Sequence, residues 1–258
     1  MSSSFATSQD LDVAVERFDL GQLRETYLEQ GRFLCIPQFL PESVVSAWRR
    51  EVESIAAGAH RSHIPGHKRG GSIDRSTIES EAPSVARVYG SALFREFLEA
   101  VVGEKILLCP NHDLHGCAVY LYSRAGDHIG FHYDTSYYRG RRYTVLLGIR
   151  NDSQAKLVYR LHTKDRRRTP VDGEVAVEPG TLVVFDGDTV LHKVTPLGEG
   201  EVRWVASMQY VTDVRMRRTL RFVSDMKDAI AYFGFRRIFG PRRAARASIE
   251  AQSETVGT

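Results

Sequence analysis

The feature that most constrains this chain is a change of hydrophobic period near residue 117. Before it, apolar residues recur every three or four positions. Val44, Val45, Trp48, Val52 and Ile55 predict one helix over residues 41–58, opened by Pro41 and ended at Gly58. Val85, Val88, Leu93, Phe94, Phe97, Leu98 and Val101 predict a second over 84–102. From Cys117 onward the period becomes two, the spacing of a strand whose alternate side chains face opposite sides. Segments 117–122, 143–149, 174–177, 181–185 and 202–211 read as short strands punctuated by Gly and Pro. A chain built this way folds as α+β, with helices packed around a double-sheet, sandwich- or barrel-like β-core. A last helix is expected over 224–233, and the tail 240–258, poor in large apolar residues, is expected to be loose.

Composition narrows the setting. The 258 residues fit one or two domains, and no internal repeat or long linker divides them. Only three cysteines are present, Cys35, Cys109 and Cys117, which argues against a secreted disulfide scaffold and for a reducing compartment. No apolar run reaches the roughly 20 residues of a membrane span, and the first ten residues lack a signal-peptide pattern. A cytoplasmic protein is expected. Lys and Arg exceed Asp and Glu by 35 to 32, a margin that permits anionic ligands without predicting nucleic acid.

The chemistry gathers in GFHYDTS, residues 130–136. His132 and Asp134 are two apart, so on a strand or strand end their side chains converge. His192 follows sixty residues on, after the strand 181–185 and a Gly-containing turn. Two imidazoles and one carboxylate on one face of a metal leave the opposite positions open, the arrangement of non-haem Fe(II) oxygenases. Arg203 lies eleven residues beyond His192, and Ser207, four further on, shares its strand face. A buried guanidinium grips a carboxylate through two N–H groups, and a hydroxyl completes the clamp. A dicarboxylate with a 2-oxo acid end fits such a site. Thr144, Tyr120 and Tyr122 are candidate further hydroxyl contacts.

The order His132-x-Asp134, Pro179–Gly180, Phe185, His192, Val194, Pro196 and Arg203 resembles the Fe(II)/2-oxoglutarate-dependent dioxygenase superfamily, in its prolyl-hydroxylase-like form. The resemblance implies a double-stranded β-helix, or jelly-roll, core over about 105–215 and a helical support with a substrate loop over 11–104, in a single oxygenase domain spanning 1–258. It implies His132, Asp134 and His192 as iron ligands, Arg203 as the partner of 2-oxoglutarate, and O₂ as co-substrate. HYDTSYYRGRRYTVLLGIRNDS and DAIAYFGFR also resemble the branch of free amino-acid halogenases and their hydroxylase relatives. In those halogenases a Gly or Ala replaces the carboxylate ligand and leaves a position for chloride. Asp134 fills that position here, which favours hydroxylation, desaturation or ring closure such as aziridine formation. Near the triad stand Ile129, Thr135 and Ser136, a pocket for a less charged, aliphatic amino acid rather than a cationic one, with His115 a further candidate to face the substrate. Arg75, in the Gly-, His- and Arg-rich segment 60–76 read as a lid-like loop, is the first choice for the substrate carboxylate. His63, His67 and Arg69 are lesser candidates.

Plainer readings stand beside these. A lone His-x-Asp is common, and only the distal His192 and Arg203 raise it to a ligand set. His60, His63 and His67 straddle Pro65–Gly66 at no regular zinc spacing and read as a solvated or substrate-facing loop. His112 reads as a turn residue, and Arg166–Arg168, Arg242, Arg243 and Arg246 read as solvated charge. Ser207, Thr144 and the two tyrosines also suit ordinary strand packing. Two competing functions are a hydroxylase of the same superfamily acting on a peptide or nucleic acid, and a double-sheet binding module without catalysis. Nucleic acid is disfavoured because no second Arg follows Arg203 until Arg215.

Overall fold

A computed structural model describes residue 11 and residues 14–215. Helix α1 (Leu20–Glu29) is capped by the Asp19 side chain, which accepts from the Gln22 amide. Strand β1 (Phe33–Ile36) leads into α2 (Glu42–Ile55), followed by a single 3₁₀ turn at Ala56–Gly58. The hairpin β2 (His60–Ile64) and β3 (Lys68–Ile73) comes next. Helices α3 (Arg75–Glu81), α4 (Pro83–Gly90) and α5 (Ala92–Val102) complete the amino-terminal half. The strands that follow are β4 (Leu107–Leu108), β5 (Cys117–Tyr122), β6 (His128–His132), β7 (Arg142–Asp152), β8 (Leu157–Leu161), β9 (Val171–Val175), β10 (Leu182–Asp186), β11 (Leu191–Val194) and β12 (Val202–Val211).

Every pairing is antiparallel, in the order β1-β10-β7-β12-β5-β3-β6-β11-β8-β9, with β2 on β3 and β4 on β12. The order falls into two halves. One is β1-β10-β7-β12-β5, the other β6-β11-β8-β9, and β3 hydrogen-bonds to both. Their inner faces meet in a cluster that includes Tyr122, Leu146, Phe185 and Val205 from the first half and Ile129, Leu157 and Val194 from the second. The sheet thus wraps into the nearly closed barrel expected of a double-stranded β-helix.

The outer face of the first half is the larger core. Val145, Leu147 and Ile149 of β7 and Ala206, Met208 and Tyr210 of β12 meet Val45, Trp48 and Val52 of α2 and Phe94 and Phe97 of α5. This explains why residues 143–149 read as nearly continuous apolar sequence. Val145 and Leu147 face the helices while Leu146 faces the barrel, so both sides of β7 are buried.

The structure departs from the expected elements at two places that matter. The predicted helix 84–102 is two helices. Ser91 is extended, and its hydroxyl accepts from the Phe94 amide to start α5 afresh after Gly90. The segment 60–76, expected as a loop, is the β2–β3 hairpin followed by the start of α3. Lys68 pairs with Ile129 and Gly71 with Leu121, which stitches the two sheet halves together. Strands β1, β8 and β11 were not read from the sequence. The expected helix 224–233 and tail 240–258 lie outside the described residues.

Candidate active site

His132 ends β6 and His192 lies in β11, and the two are directly paired across the strands. Their rings are 4.2 Å apart. Asp134 follows two residues after His132, with Oδ1 3.5 Å from His132 Nε2 and Oδ2 3.7 Å from His192 Nε2. One donor atom from each of the three lies within 4.8 Å of the others. The other ring nitrogen of each His faces a backbone carbonyl: His132 Nδ1 donates to Gly130 O at 2.8 Å and His192 Nδ1 to Val190 O at 3.2 Å. That fixes the tautomer and leaves both Nε2 lone pairs aimed at a common point, the usual outer support of a metal-binding imidazole.

Electrostatics agree. Burial pushes His192 down to about 4, with the neighbouring His132 adding to the effect, so its imidazole is neutral and able to ligate. Burial alone would raise the Asp134 carboxyl. His192, hydrogen bonding to His132 and the Thr144 hydroxyl overcome it and hold Asp134 well below the usual carboxylate range. Thr144 Oγ1 lies 2.7 Å from Asp134 Oδ2 and 3.0 Å from Gln209 Oε1, and Arg142 Nε donates to that same oxygen at 3.0 Å. Behind the carboxylate, Gly187 approaches so closely that a Cβ there would stand 2.8 Å from Asp134 O. The adjoining turn holds the next residues, since Asp188 accepts from the Ser136 amide at 2.8 Å.

Arg203 is buried to 1% exposure, and none of its three guanidinium nitrogens finds a hydrogen-bond partner among the described residues. Burial lowers its pKa, yet the group stays cationic, as guanidinium does in proteins. A buried, unsatisfied guanidinium costs more than most cores tolerate. Here it borders a cavity shared with all three triad residues, with Tyr120, Tyr122, Ser207 and Gln209, and with the apolar wall Ile129, Leu146, Leu157, Val194 and Val205. The Tyr122 ring lies beneath it at 5.5 Å. The residues present therefore fit both groups: an N₂O donor set for a divalent metal such as Fe(II), and an orphaned fork for the far carboxylate of 2-oxoglutarate.

The sequence-expected residues fare unevenly. His132, Asp134, His192, Arg203, Ser207, Tyr120, Tyr122 and Ile129 share the cavity. Thr144 stands behind Asp134 instead, its hydroxyl engaged with that carboxylate and with Gln209. His115 approaches only from the edge, its Nδ1 3.1 Å from the Tyr120 hydroxyl, and Thr135 is exposed. Arg75 is engaged elsewhere in this structure. It is 5% exposed and bound to Glu79, to the Cys109 and Pro110 carbonyls and to Asn111, and it lies over the Tyr89 ring. It ties α3 to the segment before β5 and does not border the cavity. Sequence reading missed Gln209 and Lys68. Gln209 extends the run Arg203, Val205, Ser207 on one strand face, so period two alone would have found it. Lys68 had no such signal while its segment read as a loop.

Residues 15–139 match the family model described as Halogenase D. The match takes in the helices, the β2–β3 hairpin, His132 and Asp134, and ends before His192 and Arg203. No curated protein is similar to the chain in sequence. Solved structures are. The non-heme alpha ketoglutarate dependent epimerase SnoN from nogalamycin biosynthesis matches with a TM-score of 0.61 at 16% identity, over 74% of this chain and 81% of that one. A Pseudomonas putida prolyl-4-hydroxylase matches with a TM-score of 0.55 at 19% identity, over 77% and 100%. The alpha ketoglutarate dependent carbocyclase SnoK matches with a TM-score of 0.61 at 14% identity, over 76% and 85%. SnoN has also been solved in complex with Fe3+, alpha ketoglutarate and nogalamycin RO. The chain thus has the fold of these solved structures, and its His132, Asp134 and His192 are drawn together closely enough to hold a metal ion.

Proposed function

We propose that this chain is a single-domain Fe(II)/2-oxoglutarate-dependent oxygenase acting on a free, aliphatic amino acid. The observation that carries the reading is Arg203: a buried cation with no hydrogen-bond partner among the described residues, bordering the cavity that the triad also borders. His132, Asp134 and His192 would hold Fe(II), which with 2-oxoglutarate and O₂ supplies the oxidant that removes a hydrogen atom from the substrate as 2-oxoglutarate is converted to succinate.

The protein's own part is positioning and exclusion of water. Arg203 fixes the far carboxylate of 2-oxoglutarate, with Tyr122 beneath it and Ser207 on the same strand face. Ile129, Leu146, Leu157 and Val194 keep the reacting end dry. Thr144 holds Asp134 in the orientation that ligation needs. Asp134 itself occupies the position a halide takes in the resembling halogenases, so the name of the matching family model does not carry halogenation to this chain. Hydroxylation, desaturation and ring closure remain as outcomes. Three free cysteines suit a reducing, cytoplasmic setting, and among the described residues no helix is long and apolar enough to cross a membrane.

The test is turnover. The protein, Fe(II), 2-oxoglutarate and air are combined with each of the common amino acids, and succinate and substrate mass are followed. One amino acid should accelerate succinate formation. A gain of one oxygen then names hydroxylation, and a loss of two hydrogens names desaturation or ring closure. Succinate formation that no amino acid accelerates would refute the substrate class.

A further inference from the structure

Thr144 has one hydroxyl proton and two acceptors within reach of it. Asp134 Oδ2 lies 2.7 Å from Thr144 Oγ1, and Gln209 Oε1 lies 3.0 Å from it. A hydroxyl carries a single O–H, so it holds the carboxylate or the amide oxygen, not both. Thr144 and Gln209 are both buried, at 1% and 5% exposure, and a buried carbonyl oxygen left without a donor is costly. Gln209 therefore competes with Asp134 for the Thr144 proton unless a second donor satisfies it.

Arg142 is that donor. It lies two residues before Thr144 on β7, and Gln209 of β12 pairs with Thr144 across the strands, so the three side chains meet near one end of the β7–β12 pair. Arg142, itself buried, donates through Nε to Gln209 Oε1 at 3.0 Å. That bond settles which end of the amide is which, and on the other side Gln209 Nε2 donates to Ser207 Oγ at 3.3 Å. Among the described residues, Arg142 and Thr144 are the donors to Gln209 Oε1. The guanidinium is matched from behind by Asp113. Burial would raise the Asp113 carboxyl, but Arg142 draws it below the usual carboxylate range, and the Tyr138 hydroxyl donates to it at 2.7 Å. The main-chain carbonyl of Arg142, which a substitution leaves in place, accepts from the Gly187 amide at 2.8 Å.

We propose that Arg142 is a positioning residue for the metal carboxylate: by satisfying Gln209, it leaves the Thr144 proton to Asp134. This rests on the oxygenase reading above and adds to it the side chain that keeps its carboxylate ligand in place.

The test is Mn(II) binding to the full-length protein, read from the electron paramagnetic resonance signal of the free ion. Thr144→Val removes the proton and should weaken Mn(II) binding about 10- to 100-fold, the usual cost of losing a ligand's outer support. Arg142→Met should weaken it by a similar factor and add nothing further in a Thr144→Val background. Gln209→Met removes the competing acceptor. It should restore Mn(II) affinity to Arg142→Met, and made alone it should leave binding no weaker than in wild type. A residue that only holds the fold together would not be rescued by deleting its partner. Wild-type affinity in Arg142→Met would overturn the assignment, as would a double variant Arg142→Met/Gln209→Met that binds as weakly as Arg142→Met. Where Arg142→Met does not fold, Gln209→Met alone decides. Affinity kept there supports competition, and a loss as large as in Thr144→Val would make Gln209 a support of Thr144 and overturn the assignment. Wild type that takes up no Mn(II) would bring down the oxygenase reading itself, a failure distinct from these.

Discussion

At the scale of single residues, the site depends on a few side chains whose removal has different signatures. Asp134→Ala takes away the anionic ligand, and turnover should vanish along with tight metal binding; full activity would remove Asp134 from the ligand set. Arg203→Ala loses a charged, bidentate contact of about 1.5–3 kcal/mol, a roughly 10- to 150-fold weaker hold on 2-oxoglutarate. The KM for 2-oxoglutarate should rise accordingly while that for the amino acid moves little. Arg75→Ala separates the structure from the sequence reading most sharply. Because Arg75 is buried among Glu79, Asn111 and two carbonyls, the variant should lose about 1–3 kcal/mol of stability in a denaturant melt and leave the substrate KM unchanged. The reverse pattern would return Arg75 to the substrate. Period two put His132 and Asp134 on one face, the resemblance to the dioxygenase superfamily joined His192 and Arg203 to them, and in the structure the four border one cavity. The contacts of Arg75 were not legible because nothing in a local sequence reveals that Asn111 and Cys109, more than thirty residues away, engage its donors.

At the scale of elements, the turn after β10 positions the triad as much as the triad's own strands do. Gly187 leaves no room for a side chain against Asp134, and its amide donates to Arg142 O at 2.8 Å. Gly187→Ala should therefore displace Asp134 and weaken metal affinity by a larger factor than it lowers the melting temperature. Equal metal affinity in a folded variant would show that the turn gives way freely. The same scale shows where sequence reading stops. The β2–β3 hairpin reads as a loop because its glycines and histidines carry no apolar alternation, and its strand character comes from pairing to β5 and β6. The break between α4 and α5 was hidden because the apolar spacing runs on through it. Ser91 marks it only through its cap on Phe94, a contact worth about 1 kcal/mol.

At the scale of the whole molecule, two cores divide the work. The outer one clamps the helices onto β7 and β12, and the inner one forms the barrel around the cavity. Trp48, fully buried in the outer core, should cost about 3–5 kcal/mol on truncation to Ala and leave the metal affinity of the folded protein intact, since it does not border the cavity. The double sheet was readable from the sequence because 117–122 alternates with period two and 143–149 is a nearly continuous apolar run, both bounded by turn residues. Its closure was not, since the link is β3, which lies in a segment that reads as a loop.

The central claim is that His132, Asp134, His192 and Arg203 form one site for a divalent iron and 2-oxoglutarate. The most direct measurement is anaerobic addition of Fe(II) and then 2-oxoglutarate to the full-length protein, watching for the weak visible charge-transfer band of a 2-oxo acid chelating ferrous iron. The band should appear in wild type, require both components, need far more 2-oxoglutarate in Arg203→Ala, and be absent in His192→Ala. Folded wild-type protein that binds neither component and shows no band would contradict the account and leave a double-sheet binding protein in its place.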